Sequence, residues 1–353
     1  MPRKKSRLTR KKKSDKKADK APPEGLLSER EFVALPNDYG SFIVEDSEHE
    51  QHKFSMDDMA YIQHHDSGES GDAIKDNHWI GKIREIRGNG PDNVWVRVQW
   101  YWSPEEVAKV IKSFNPDVCG KYERLFSNNF DIISVSCFVD HVEVKQFEET
   151  SVYQDVIEDE EWYSRYHFLY DGRRISPKVT HVACPICKVP YTPGMEKVLH
   201  FCPRPGCCKF YHQQCLVKHG YLEKTREYRL LETWPDIDRT ASVRDLADLG
   251  SYHPRKRQRK NISSSKESAC DPLADFPVQL VAVAEQQIVR GTQGGGVVGN
   301  ITSVVAARQL IYRALAKGDA IPVDWETRIN ISTASSDSDT LPNCKCPSCC
   351  SPI

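Results

Sequence analysis

Cysteine and histidine spacing constrains this chain more than any other feature. Four ligand pairs recur, Cys184-x2-Cys187, Cys202-x4-Cys207, His212-x2-Cys215 and Cys346-x2-Cys349. A two-residue gap lets two ligands turn onto one metal, but one tight turn cannot surround an ion. Each site must therefore draw pairs from separated segments, and eight ligands complete two tetrahedral zinc sites. The set holds thiolates and one imidazole, with no carboxylate and no open position, so both zinc ions are expected to be structural. Two choices stay open: Cys208 stands beside Cys207, and Cys344 and Cys350 flank the last pair. A redox dithiol at Cys184-Pro-Ile-Cys187 would need a following helix whose N-terminus stabilises the thiolate, and KVPYTP follows instead. Ten of the thirteen cysteines fall in these clusters, which points to metal in a reducing compartment rather than to disulfides. Cys119, Cys137 and Cys270 read as small apolar residues.

Charge divides the chain of 353 residues unevenly. Its formal net charge of −1 averages a basic start, where residues 1–20 carry eleven Lys or Arg against Asp15 and Asp19, with an acidic remainder. A basic arm suits polyanions or an import receptor, and an acidic body suits a basic peptide better than duplex DNA. A second basic run, HPRKRQRKNISSSKES at 253–268, reads as a flexible linker. Both runs are expected to serve nuclear import or non-specific phosphate contact with DNA. No stretch approaches the roughly 20 apolar residues needed to cross a bilayer, and no apolar leader follows the N-terminal charges, so no membrane partner is expected.

Between residues 38 and 168 short apolar runs, MAYIQ, HWIGKIREI, NVWVRVQWYW and DIISVSCFVDHVEV, alternate as strands do, with GNGPDN as a turn. PEEVAKVIKSF (104–114) starts as a short helix starts, with proline and two acids. Further on, 278–289 (VQLVAVAEQQIV) and 301–316 (ITSVVAARQLIYRALA) are predicted helices, the second N-capped by Asn300, and TQGGGVVGN between them suggests a hairpin. The resulting division is a disordered basic tail (1–37), a β module (38–178), the first part of a zinc finger (179–220), an insertion with a basic linker and helical hairpin (221–341), and the last ligand pair (342–353).

HWIGKIREI, VRVQWYWSPEEV, LFSNNFDIISVSCFVDHVEV, EEWYSRYHFLYDGRRISP and CPICKVPYTP continuing to FYHQQC resemble the BAH-PHD chromatin proteins of plants and fungi. The likeness covers about residues 38–220 and resumes at Cys346. It implies a mainly β fold: a small β-barrel BAH domain followed by a zinc-stabilised PHD finger, interrupted by a partly helical insertion. It also implies interleaved ligation, with Cys184, Cys187, His212 and Cys215 on one zinc and Cys202, Cys207, Cys346 and Cys349 on the other. Relatives of this kind act in Polycomb-type silencing through a BAH aromatic cage for trimethyl-lysine 27 of histone H3, and in plant members the finger binds lysine-4-methylated tails.

Carried over, the cage is Trp79, Trp100 and Trp102. Trimethyl-lysine keeps its charge but has no N–H to donate, so aromatic faces must recognise it. Trp100 and Trp102, two apart in a strand, project to one side and leave Tyr101 on the other. Asn129, where relatives often have histidine, and Asp131 are the expected peptide contacts. In the finger, Tyr191 and Phe210 occupy cage-wall positions, Phe210 standing where methyl-lysine-binding fingers place tryptophan. Trp95, Trp162 and Trp234 are assigned to packing. The expected function is a nuclear histone reader in transcriptional repression, bound to the H3 tail and nucleosome and to subunits of a silencing complex, with the finger as second reader or brace. The competing reading is an interaction scaffold of a chromatin complex without a cage. No nucleophile-base set or phosphate-cradling loop points to an enzyme.

Overall fold

The computed structural model describes residues 27–45, 49–63, 78–158, 160–179, 182–194, 198–204, 206–222, 273–291, 296–330, 341–350 and 353. The basic run at 1–20, the linker at 253–268 and Trp234 lie outside them.

Order begins earlier than residue 38. Ser28 and Glu31 form a reciprocal capping box that starts α1 (Glu29–Val33). Its Phe32 is buried beneath the guanidinium groups of Arg87 and Arg97, which ties the end of the expected tail to the fold.

The strands that follow are β1 (Asn37–Asp38), β2 (Ser41–Glu45), β3 (Gln51–Ser55), β4 (Met59–Gln63), β5 (His78–Gly88) and β6 (Val94–Trp102). Then come α2 (Pro104–Val110), β7 (Leu125–Ser134), β8 (Phe138–His141), β9 (Val144–Gln146), β10 (Trp162–Ser164), β11 (His167–Leu169) and β12 (Arg174–Ser176). The C-terminal half adds β13 (Leu199–Cys202), β14 (Lys209–His212), α3 (Gln213–Lys218), α4 (Val278–Glu285), β15 (Val289–Arg290), α5 (Ile301–Lys317) and α6 (Trp325–Ile329). Among the described residues, no helix is long and apolar enough to cross a membrane.

The fold is mainly β, as expected. An eight-stranded sheet runs in the order β12-β11-β7-β6-β5-β4-β8, with β1 paired to β5. In β6 the buried residues Val96, Val98 and Trp100 alternate with the less buried Trp95, Arg97 and Gln99, the period of two that half-buried strands require. Ser103 and Glu106 cap α2 in a second capping box, with Pro104 at its first turn, and this helix ends the strand cleanly after Trp102.

Contacts divide the chain into two compact units, Met1–His78 with Lys82–Val98 and Phe130–His141, and Trp79–Gly81 with Gln99–Asn129 and Val142–Ile353. In the first, Phe42, Phe54 and Phe138 pack ring against ring at 4.9–5.5 Å between centroids. In the second, β14, β13 and β15 form a three-stranded sheet, and Phe147, Tyr191, Phe201 and Phe210 share one core with Leu280, Val304 and Tyr312 of the insertion. The helical insertion is thus packed into the finger.

Two expectations for the insertion change. The predicted helix 278–289 stops at Glu285, because Gln286 turns to an extended conformation (φ −60°, ψ 151°) and Val289 and Arg290 pair with β13. Ile288 and Val289, both β-branched, lose little by leaving a helix for a strand. Asn300 precedes α5 but makes no side-chain cap; its amide instead accepts from the Val289 N–H at 2.9 Å and donates to the Gln287 carbonyl at 2.8 Å.

The same unit buries a complete ion cluster. Arg165 donates to both Glu123 oxygens at 2.8 Å, to Glu149 at 2.9 Å and to the carbonyls of Val118 and Tyr191. Glu123 also accepts from the Gly120 N–H at 2.9 Å. Removing one partner of such a cluster strands a buried charge, so Glu123→Ala should lower unfolding stability by about 3–5 kcal/mol. Urea denaturation of the full chain measures this, and a loss below about 1 kcal/mol would mean the cluster is solvated.

Candidate functional site

On the sheet, Trp79 of β5 and Trp100 of β6 meet edge to face, 5.4 Å between centroids and 71° between planes. Trp79 is 39 % exposed and Trp100 7 %, so the pair joins a surface ring to a core ring. Trp102 belongs to a neighbouring aromatic group. It meets Phe168 at 5.2 Å and Tyr170 at 5.5 Å, and its indole N–H is buried with no hydrogen-bond partner among the described residues. The strand period sets Trp100 and Trp102 on one side, about 7 Å apart along β6. Tyr101 turns the other way and packs on Phe126 at 4.7 Å.

Asn128 and Ser127 of β7 order this region. The Asn128 side chain accepts from the Tyr170 N–H at 2.6 Å and donates to Asp171 at 3.1 Å, which holds the 39 % exposed Tyr170 beside Trp102. Ser127 donates to the Trp100 carbonyl at 2.9 Å and accepts from the Asn129 N–H at 3.1 Å. Asn129 is half-buried and Asp131 exposed. Sequence reasoning missed Tyr170 and Asn128. The period of two from Phe168 to Tyr170 was the available signal.

The second site is built from thiols. Cys184, Cys187, His212 and Cys215 gather in one cluster, and Cys202, Cys207, Cys346 and Cys349 in another, with ligand atoms in each within 4.8 Å of one another. Pairs such as Cys202 and Cys349 (3.4 Å) or Cys207 and Cys346 (3.6 Å) lie close to the roughly 3.8 Å edge of a tetrahedron with Zn–S bonds of about 2.3 Å. His212 turns Nδ1 to the sulfurs of Cys187 at 3.3 Å and Cys215 at 4.0 Å. Soft donors in this geometry fit zinc. The open choices resolve: Cys208 turns to the Arg204 carbonyl and Cys344 to that of Pro342, leaving Cys207, Cys346 and Cys349 in the cluster. Burial and the neighbouring Cys187 and Cys184 sulfurs push the Cys215 thiol up to about 12.

Tyr191 and Phe210 do not line an open pocket. Each is 2 % exposed, inside the core shared with the insertion, and the Tyr191 hydroxyl donates to the Val297 carbonyl at 3.0 Å. Phe210 instead stacks on Phe201 at 4.4 Å. Trp95 bonds Asn93 at the turn before β6, and Trp162 lies under Arg124 at 4.0 Å and beside Tyr122.

Elemental analysis of the purified chain should give two zinc equivalents, and Cys346→Ser should lose one of them. Chelation should unfold the finger, since structural zinc supplies on the order of 10 kcal/mol or more to such sites. Two equivalents retained in Cys346→Ser would refute the assignment.

No protein-family model matches the chain. A curated relative, chromatin remodeling protein EBS of Arabidopsis thaliana, is 25% identical over 138 residues, which cover 39% of this chain. The chain spans about half of that relative's length, 55%. Among solved structures it is similar to the yeast Rsc2 BAH domain, with TM-score 0.28, 13% identity, and coverage of 40% of this chain and 54% of that one. These likenesses stand beside a mainly β fold and two clusters of metal-ligating residues, one of three cysteines and a histidine and one of four cysteines.

Proposed function

We propose that this chain is a nuclear, chromatin-binding histone reader that takes a methylated H3 tail on its BAH module and acts in transcriptional repression. The observation that carries the reading is the Trp79–Trp100 pair, a half-exposed indole standing edge to face on a buried one. Trp102, two residues further along β6, packs with Tyr170 in a neighbouring aromatic group. A quaternary ammonium needs such faces and no acceptor, each contributing about 0.5–2 kcal/mol according to desolvation. Asn129 and Asp131 are the residues assigned to the peptide, the acid suiting a basic tail. Trimethyl-lysine 27 of H3 is the preferred mark, by resemblance. The two metal clusters are read as structural zinc, and the enzyme class has no catalytic set to support it. Subunits of a silencing complex and an import receptor are the further partners, with the basic runs making non-specific DNA contacts.

The scaffold reading, in which these rings are only core, draws on the burial of Trp100 and the packing of Trp102 on Phe168. Trp79 separates the two readings because it is the least buried wall. Trp79→Ala should weaken binding of a lysine-27-trimethylated H3 peptide about tenfold, a change of about 1.4 kcal/mol, and leave thermal stability nearly unchanged. Isothermal calorimetry with methylated and unmodified peptides reads this. Equal affinity of the wild-type chain for both peptides would favour the scaffold.

A further inference from the structure

A cation already lies among the aromatic rings of the finger. Arg290, on β15, is 0 % exposed. Its guanidinium carbon is 4.2 Å from the ring centroid of Phe210, 5.1 Å from Phe147 and 6.0 Å from Tyr191. Nε donates to the Val298 carbonyl at 3.0 Å, while Nη1 and Nη2 have no hydrogen-bond partner among the described residues. Burial lowers its pKa only to about 10, so the group stays charged at neutral pH.

A buried charge with unsatisfied donors is strongly unfavourable unless something offsets its desolvation. Aromatic faces do so without offering an acceptor, which is also how they hold quaternary ammonium groups. The two rings assigned to the finger's cage from the sequence, Tyr191 and Phe210, therefore do face a cation, one supplied by the chain itself.

The backbone around Arg290 is fixed as firmly as its side chain. Leu199 pairs with Arg290 and His200 with Val289, while the opposite edge of β13 carries β14. An extended peptide joining β13 would have to displace β15, since strand addition needs a free edge. Asn300 clamps β15 from the far side. Gly299 (φ +74°) lies so close that a Cβ there would be 2.0 Å from the Val289 carbonyl oxygen. Gln287 donates to the carbonyls of Leu341 and Pro342, tying the same segment to the stretch that leads to Cys346 and Cys349.

We infer that Arg290 is the resident cation of the finger: the insertion supplies in cis the strand and the positive charge that a methyl-lysine tail would bring, and the finger is closed to tails. This concerns the finger alone and stands whether or not Trp79 and Trp100 take a peptide.

The test uses the full chain in a Trp79→Ala background, which removes the proposed BAH contribution. Affinities for H3 N-terminal peptides with trimethylated and unmodified lysine 4 should agree within about threefold, measured by calorimetry; a larger preference for the methylated peptide overturns the inference. Adding Arg290→Ala should create a site for a small quaternary cation. Tetramethylammonium chloride should then raise the melting temperature above that in equal sodium chloride, by mass action, in this variant and not in its parent. No selective rise in a folded Arg290→Ala protein also overturns it. If that variant does not fold, the peptide comparison decides.

Discussion

The second metal cluster ties the chain into a closed loop. Two of its thiols come from Cys202 and Cys207 and two from Cys346 and Cys349, so the chain between them returns to the same cluster. Closing a longer loop adds only about 0.6 kcal/mol per doubling of length, so a metal site tolerates such an interruption. What the loop does on the way back shapes the finger. It lays β15 along β13, sets α4 and α5 against Phe201 and Phe210, and steers the last ligand pair through Gln287. A finger too small to bury much of its own surface gains a core from the segment that interrupts it.

Much of this was legible where the signal is local. The strand β6 and the facing of Trp100 and Trp102 follow from alternation, and α2 begins at Pro104, as a proline followed by Glu105 and Glu106 implies. Ligand spacing, read with the family resemblance, yielded the two metal quartets that the structure brings together. What was missed depends on partners distant in sequence. Residues 286–289 close the run expected to be helical, and the β13 edge and the Asn300 amide instead hold Val289 and Arg290 as a strand. Asn300 itself looks like a cap until its second role is seen. The spacing of Phe168 and Tyr170 hints at a shared face, but the bond to Asn128, 42 residues earlier, that fixes Tyr170 leaves no local trace.

Burial separates the aromatic group around Arg290 from the one proposed as the reader site. Phe147, ahead of the finger, and Tyr191 and Phe210 within it enclose a guanidinium that is fully buried. On the sheet, Trp79 leaves part of its face in solvent and packs on the buried Trp100, while Tyr170, beside Trp102, is exposed to the same degree. The first suits cohesion, because its occupant is covalently attached. On the proposed reading the second suits exchange, because it is partly open to solvent and its indoles present the better cation surfaces.

The central claim is that the sheet site recognises charge held against indole rather than bulk alone. The most direct measurement compares two H3 peptides of one shape, one bearing trimethyl-lysine 27 and the other its uncharged carbon isostere with a tert-butyl end. Cation–π recognition predicts that the charged peptide binds about fivefold or more tightly, close to 1 kcal/mol. Equal affinities would contradict the account and leave a greasy groove in place of a reader.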